Sequence, residues 1–200
     1  MINYARQRAT AGPAPFNAPL WRLAIESLDP ERRCVVLDLG PAVPQTITLL
    51  GSYRCRLLIA DLADQLAAID GAEDAESREA AVQGALGPSG AEPLDLVLCW
   101  DLWNYLSLPG LAALMRAVAA RCRPGARLHG PVVYTDTQMP VSPGRFLPQP
   151  DGQLLWDLPG PETCAAPRYS PEQLGEALAD FRHERGMLLV NGLQEFLYRR

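Results

Sequence analysis

Three short apolar runs, each ending in or near an acidic residue, constrain the fold of this 200-residue chain more than any other feature. Continuous apolar runs of this length are typical of parallel strands that are buried on both faces. Segments with apolar residues at helical spacing separate the runs, and strands that alternate with helices predict a parallel sheet with helices on both faces. The three runs cover residues 33–40, 56–61 and 94–101.

Outside the three apolar runs, the spacing of apolar residues predicts five helices, a fourth strand and a terminal hairpin. A fourth strand is expected over residues 126–134, although Gly130-Pro131 interrupts its apolar pattern. A terminal antiparallel hairpin is expected because Asn191-Gly192 separates two apolar runs, which is the strongest short-range hairpin signal. Ser170 is expected to cap the last helix, since a proline and an acid follow it in the first turn. The helices are expected over residues 17–28, 44–52, 62–86 with a break near Gly71, 108–122 and 170–181.

Length and the distribution of proline divide the chain into an arm, one domain and a long insertion. Residues 17–200 are enough to bury one sizeable core, so a single domain is expected there. Residues 1–16 are polar and rich in Pro, Gly and Ala, which predicts a flexible amino-terminal arm. Residues 137–168 hold many Pro and Gly and have no periodicity. So long a connection without regular structure is typical of a lid, a binding loop or a disordered segment.

Composition excludes several classes of function. All 18 basic residues are arginines, which excludes a lysine Schiff base and a phosphate-binding loop that depends on lysine. The net charge of −5 argues against nucleic acid as a partner. Two His, and five Cys without C-x-x-C spacing, predict neither a metal site nor a disulfide framework. No stretch approaches the about 18 apolar residues of a membrane span, and the amino terminus has no signal-peptide core, so a cytoplasmic location without membrane contact is expected.

The ends of the three apolar runs are where ligand-binding residues are expected. In a doubly wound sheet, ligands bind at the carboxyl ends of the strands. Gly40 follows the first run and permits a tight turn and a close backbone approach to a ligand. Asp61 ends the second run and can accept hydrogen bonds from both hydroxyls of a ribose, and Trp100-Asp101 ends the third. Together these strand ends predict a nucleoside-binding crevice.

The order of these elements resembles that of the class I S-adenosylmethionine-dependent methyltransferases. The resemblance spans residues 17–200 and rests on VVLDLG, LLIADL, LDLVLCWDLWNYL, PGARL and the terminal hairpin. It implies an α/β fold with a Rossmann-like, doubly wound, mostly parallel sheet of seven strands, the last of them antiparallel. It also implies S-adenosylmethionine as the cofactor. A NAD-type fold is not favoured, because Gly40 begins Gly-Pro-Ala-Val-Pro-Gln and lacks the later glycines of G-x-G-x-x-G.

The resemblance implies that Asp38, Gly40, Asp61 and Trp100 bind the cofactor. Asp38 and Gly40 match the acid and first glycine of the family's first motif, and Asp61 matches its ribose-binding acid. From the residues alone, Asp61 is explained equally well as a ribose acceptor and as the cap of the following helix. Asp38 is better explained as an organiser of its own loop than as a residue that contacts the ligand.

This sequence departs from the family in two places. Ala42 and Pro44 stand where the second and third glycines of the first motif belong. Residues 72–93, where the family has a further strand and an acid near the adenine, are mostly Ala, Glu and Gly.

Asp101, Asn104 and Tyr105 occupy the place of the family's variable catalytic residues. Asp101 is the candidate general base for a substrate hydroxyl or amine, and Asn104 or Tyr105 would orient that group. The alternative for Asp101 is a capping or surface acid. Aromatic residues of the long insertion, among them Phe146 and Trp156, would line a cover over the substrate.

Two functions follow as hypotheses. The first is an S-adenosylmethionine-dependent methyltransferase that acts on a small molecule or a protein side chain. The second is a degenerate methyltransferase-like protein that has lost catalysis and binds a protein partner through residues 137–168. The altered glycine motif and the weak segment at 72–93 motivate the second hypothesis.

Overall fold

A six-stranded sheet organises residues 14–200, which are the part of the chain that the computed structural model describes. The predicted arm therefore lies mostly outside the described residues, although Phe16 at its end is buried and pairs with Leu154. The described strands are β1 (Cys34–Asp38), β2 (Cys55–Ile59), β3 (Leu94–Leu98), β4 (Cys122–Val133), β5 (Gln138–Pro140), β6 (Arg145–Pro148), β7 (Leu154–Asp157), β8 (Thr163–Ala165), β9 (Arg182–Leu188) and β10 (Leu193–Arg199).

The main sheet has the strand order β2-β1-β3-β4-β10-β9. The first four of these strands are parallel to one another, and β10 is antiparallel to both of its neighbours. This confirms the doubly wound, mostly parallel sheet with an antiparallel terminal hairpin. The expectation of seven strands is wrong for the described residues, because the segment at 72–93 forms a helix and leaves β2 as an edge strand.

Helices begin and end largely where local sequence signals place them. The predicted break near Gly71 separates the third and fourth helices, and Asp74 caps the fourth through a hydrogen bond from the Ser77 amide. Ser170 caps the last helix as predicted and forms a capping box with Gln173. The helices are α1 (Pro19–Glu26), α2 (Pro44–Gly51), α3 (Leu66–Asp70), α4 (Ala75–Leu86), α5 (Leu108–Ala119) and α6 (Pro171–Ala177), with 3-10 turns at Ala63–Gln65 and Leu102–Tyr105.

Two apolar cores cover the two faces of the sheet. Along β1, Val35 and Leu37 point into the core beneath α3 to α6, whereas Cys34 and Val36 point into the core beneath α1 and α2. Every residue of β1 and β3 is buried, as a strand covered on both faces requires. None of the described helices has the length and apolar character needed to cross a membrane.

The fourth strand runs through the predicted interruption at Gly130-Pro131 without a break. A Cβ at Gly130 would lie 3.1 Å from the Trp100 carbonyl oxygen and 3.2 Å from Trp103, so glycine lets β4 pass close to the turn after β3 without crowding it. The terminal hairpin turns through Val190, Asn191 and Gly192, and Gly192 has a φ of 81°. This is the three-residue hairpin loop that ends in a left-handed residue.

The insertion at 137–168 contains regular structure that its sequence did not predict. Strands β5 and β8 pair antiparallel, and between them in the chain β6 and β7 form a second antiparallel pair. Each strand has only three or four residues, so none is long enough to show periodicity. Phe146 and Trp156 of the second pair are buried in the core beneath α1 and α2. The insertion is therefore packed onto the domain.

Candidate functional site

The carboxyl ends of β1, β2 and β3 meet at one edge of the sheet, and backbone hydrogen bonds hold the turns that follow them. The Leu39 amide donates to the Leu98 carbonyl at 3.0 Å, and the Ala60 amide donates to the Asp38 carbonyl at 2.8 Å. Asp38, Gly40 and Trp100 are brought into contact with one another, and Asp61 lies at the neighbouring strand end. All four predicted cofactor residues thus lie at the neighbouring ends of β1, β2 and β3, and we keep the name crevice for this group of strand ends. That they bind a cofactor remains a prediction.

Asp38 is a buried carboxylic acid at the centre of this crevice. Its Oδ1 accepts hydrogen bonds from the Gly40 amide at 2.9 Å and from the indole Nε1 of Trp100 at 2.6 Å. Burial raises the pKa of Asp38 to about 6, the two hydrogen bonds oppose this rise, and the negative charge of Asp61 adds to it. Asp38 therefore organises its own loop, and it also fixes the side chain of Trp100.

Two of the strand ends carry residues in the left-handed region of backbone conformation. Asp61 has a φ of 47° and Trp100 a φ of 50°. Aspartate adopts this conformation more readily than most residues, but for a tryptophan it costs roughly 1–2 kcal/mol, so the surrounding structure must impose it at Trp100. Arg168, with a φ of 54°, has the same conformation outside the strand ends, so positive φ by itself does not identify the site.

Asp61 is exposed at the carboxyl end of β2. The 3-10 turn at Ala63–Gln65 has Leu62 at its N-cap position and no side-chain cap. Capping, the alternative explanation for Asp61, is therefore not what this side chain does. Its position leaves the carboxylate accessible to a ligand in the crevice.

The three predicted catalytic residues tie a 3-10 turn to the rest of the fold. Asp101 is fully buried, and its Oδ2 accepts a hydrogen bond from the Gly144 amide in the insertion at 3.1 Å. The side-chain amide of Asn104 donates to the Asp101 carbonyl at 2.8 Å, and its Oδ1 accepts from the Val133 amide at 2.8 Å. The hydroxyl of Tyr105 donates to the Ser142 carbonyl at 2.9 Å. Their catalytic roles remain predictions.

Burial changes the acidity of two of these groups. It raises the pKa of Asp101 to about 7, against the opposing hydrogen bonds from Gly144 and the Trp156 indole. Burial also raises the pKa of Tyr105, and the charge of Asp101 adds to that effect. A carboxylic acid with a pKa near 7 is suited to proton transfer, but in this structure the insertion covers it.

Four aromatic side chains pack against one another in a series from α1, through Trp100, to the insertion. The Trp100 ring stacks on Phe146, with centroids 5.4 Å apart and planes 11° apart, and Phe146 stacks on Trp156 at 5.5 Å and 15°. On its other side Trp100 packs against Trp21 of α1, with centroids 5.1 Å apart. Phe146 and Trp156 thus bring the insertion into contact with Trp100 at the end of β3, whereas their predicted role as a cover over the substrate remains a prediction.

Glu195 is a buried acid that the sequence does not reveal. Its carboxylate accepts hydrogen bonds from the Leu20 and Trp21 amides at 3.0 and 3.1 Å, which are in the first turn of α1. Its Oε1 also lies 2.9 Å from Nε2 of His129. Nothing local marks this residue, because an acid in a strand that alternates with apolar residues normally faces solvent.

A cavity of about 740 Å³ opens on the face of the sheet that α1 and α2 cover. It lies between α1, α2 and the turn that joins β6 to β7, and Trp21 forms part of its wall. Its apolar lining also includes Ile25, Leu49 and Tyr53. This volume lies within the range of small-molecule sites. Among residues 14–200, no group of three or more His, Cys, Asp or Glu is placed to hold a metal ion.

Comparison with known proteins identifies the fold. No protein-family model and no curated protein matches the chain. Among solved structures, the N-methyltransferase NodS from Bradyrhizobium japonicum WM9 matches with a TM-score of 0.51 at 16% identity, over 98% of this chain and 96% of that chain. An S-adenosylmethionine-dependent methyltransferase from Clostridium acetobutylicum ATCC 824 matches with a TM-score of 0.53 at 11% identity, over 90% and 88%. The chain has a class I methyltransferase fold.

A third match shows the same methyltransferase fold with a bound ligand. The glycopeptide N-methyltransferase MtfA, complexed with (S)-adenosyl-L-homocysteine, matches with a TM-score of 0.51 at 14% identity, over 97% of this chain and 95% of that chain. The fold confirms the resemblance derived from the sequence.

Proposed function

We propose that this protein is an S-adenosylmethionine-dependent methyltransferase that acts on a small molecule. The observation that carries the proposal is the position of Asp61, which is exposed at the carboxyl end of β2 in a left-handed conformation, within a methyltransferase fold. There it can accept hydrogen bonds from ribose hydroxyls. The turn at Gly40 is the neighbouring place where backbone can approach the ligand.

One end of the crevice is open to a ligand and the other is filled. At the first, which we call the ribose end, the carboxylate of Asp61 is exposed. At the second, the turn at Gly40, which we call the methionine end, a Cβ placed on Gly40 would lie 2.6 Å from Cδ1 of Trp100, so the indole takes the space over the turn. Asp38 and Gly40 are the residue types that the resemblance implies for this end, and the proposal requires the indole to move aside before the cofactor binds.

Methyl transfer requires mainly that the protein hold the acceptor in the right position. S-adenosylmethionine supplies an activated methyl group when bound, and many transfers need only an acceptor held in line with it. The cavity beside α1 and α2 is the proposed acceptor site, since Trp21 links its wall to the Trp100 side of the crevice. Its size and apolar lining favour a small molecule over a protein side chain. Asp101 is the proposed general base, and Asn104 and Tyr105 are the proposed positioning residues. None of the three lines this cavity, and the insertion covers Asp101, so the proposal requires the insertion to open before Asp101 can reach an acceptor.

Calorimetric titration with S-adenosylmethionine and S-adenosylhomocysteine tests the proposal. Micromolar binding of either is expected, and Asp61→Ala should weaken it at least tenfold. Asp64→Ala is the matched control, because Asp64 is also exposed but lies in the 3-10 turn away from the strand end. Absence of binding at millimolar ligand by a folded protein would overturn the proposal, as would equal affinities of wild type and Asp61→Ala.

One observation favours a second candidate, a methyltransferase-like protein that binds a partner without catalysis. The indole of Trp100 fills the space over Gly40 and uses Asp38 as its acceptor. The neighbours named above, all methyltransferases, do not favour this candidate. It requires a stable complex through residues 137–168, and a complex that survives deletion of that segment would exclude it.

A further inference from the structure

The indole of Trp100 lies directly on the turn that follows β1. A Cβ on Gly40 would meet Cδ1 of Trp100 at 2.6 Å and Nε1 at 2.9 Å. The ring is thus in contact with the Gly40 backbone itself, and Trp100 is only 4% exposed. A ligand that approaches this backbone and the indole in its present position exclude one another.

Several contacts hold the indole in place. Its N–H donates to Asp38 at 2.6 Å, so a buried acceptor and a buried donor satisfy each other. One ring face stacks on Phe146, and Trp21 packs against the side chain from α1. Phe146 in turn stacks on Trp156, which belongs to the next strand of the insertion.

The side-chain contacts alone hold the ring in this position. Trp100 also has a φ of 50°, a conformation in which a residue with a Cβ is strained, but this strain belongs to the turn and does not depend on where the indole points. Rotation about the side-chain torsions would take the indole out of the crevice at the cost of the hydrogen bond to Asp38 and of the ring contacts. A ligand that binds only the second arrangement shifts the population toward it.

We infer that Trp100 is an aromatic gate on the methionine end of the crevice, held closed by Asp38 and by the stacked rings of the insertion. The inference rests on the proposed function, because it takes S-adenosylmethionine as the ligand that the gate admits. Binding requires the Trp100–Asp38 hydrogen bond and the Trp100–Phe146 stack to break together. Occupancy of the crevice is thereby coupled to the contact between Trp100 and Phe146 of β6.

The gate has a quantitative consequence for affinity. Where the competent form is a fraction of the molecules, the apparent dissociation constant is the intrinsic one divided by that fraction. Removing the indole removes this factor. Trp100→Asn should therefore bind S-adenosylhomocysteine at least tenfold more tightly than wild type, and asparagine suits the position because it adopts positive φ readily.

The test is calorimetric titration of wild type and Trp100→Asn with S-adenosylhomocysteine. Trp103→Phe is the matched control, since Trp103 is buried in the opposite core and edge-packed on Tyr198. Wild type should also show a change in tryptophan fluorescence on binding that Trp103→Phe retains and Trp100→Asn largely loses. If Trp100→Asn does not fold, Phe146→Ala removes the stacking partner and should raise affinity in the same direction.

The outcomes separate the gate from the function. Tighter binding by Trp100→Asn, with Trp103→Phe unchanged, supports the gate. Measurable binding that is equal in wild type and Trp100→Asn, or weaker in the variant, overturns the gate and leaves the methyltransferase proposal standing. Absence of binding by both proteins at millimolar ligand overturns the proposed function and the gate with it.

Discussion

Glu195 of the last strand and His129 of the neighbouring strand form a buried pair, with Oε1 of the acid 2.9 Å from Nε2 of the imidazole and each side chain 1% exposed. The same carboxylate accepts the Leu20 and Trp21 amides, which are among the donors left without helical partners at the start of α1. One acid thus fastens the first helix to the last strand. It also fixes Trp21, which packs against the gate residue Trp100.

We expect Glu195→Ala to lower the free energy of unfolding by about 3 kcal/mol, because it leaves two buried amides and an imidazole without their acceptor. Glu195→Gln should lower the free energy of unfolding by less, since one acceptor oxygen remains. Urea unfolding of the three proteins measures the difference. A cost below about 0.5 kcal/mol for Glu195→Ala would contradict this account.

The parallel sheet and its terminal hairpin could be predicted because their signals are local. Apolar runs closed by acids identify β1, β2 and β3, and Asn191-Gly192 marks the hairpin within a few residues. The composition of residues 72–93, mostly Ala, Glu and Gly, also indicated that the further strand of the family is weak or missing there. The helix of this segment, Ala75–Leu86, replaces the strand that the resemblance implied.

The site was less predictable, because long-range packing decides which side chains face it. The sequence placed Asp38, Gly40, Asp61 and Trp100 at strand ends, but it could not show that the indole turns inward onto Gly40. That orientation depends on Phe146, which lies 46 positions along the chain in a strand too short for periodicity. Burial of Asp101 likewise depends on the insertion, through Gly144.

The stability of the protein should fall as pH rises from about 4 to about 7. Asp101 has its pKa raised from 3.8 to about 7, so within this window the folded state keeps a proton that the unfolded state has released. Unfolding then releases a proton, and its free energy falls with rising pH and becomes constant above the folded pKa. Asp38, with a pKa of about 6, adds to the fall over the lower part of the window.

Replacing Asp101 with asparagine should remove much of this dependence. Between pH 5 and pH 8 we expect the free energy of unfolding to fall by on the order of 2 kcal/mol more for wild type than for Asp101→Asn, because the asparagine cannot ionise. Urea unfolding at both pH values measures it, and Asp64→Asn, at an exposed site, should follow wild type. Parallel curves for wild type and Asp101→Asn would show that Asp101 does not carry the effect.

Tyr105→Phe separates a structural role from a role in binding the cofactor. The hydroxyl of Tyr105 donates to the Ser142 carbonyl, so its removal should lower the free energy of unfolding by about 1 kcal/mol. The affinity for S-adenosylhomocysteine should stay within twofold of wild type, because the hydroxyl faces the insertion. Denaturant unfolding and calorimetry measure the two quantities. A large loss of affinity with unchanged stability would instead place Tyr105 at the ligand.

Gly40→Ala tests the contact between the turn and the indole directly. The new methyl group would lie 2.6 Å from Cδ1 of Trp100, closer than packed atoms allow, and the side chain or the turn must shift. Overpacking of this kind costs typically 1–3 kcal/mol, and we expect about 2 kcal/mol in urea unfolding together with altered near-ultraviolet circular dichroism. In the Trp100→Asn background the same substitution should cost less than about 0.5 kcal/mol, because the ring is gone and the sites are coupled. Equal costs in both backgrounds would mean that the strain at Gly40 comes from its own loop and that Trp100 does not press on the turn.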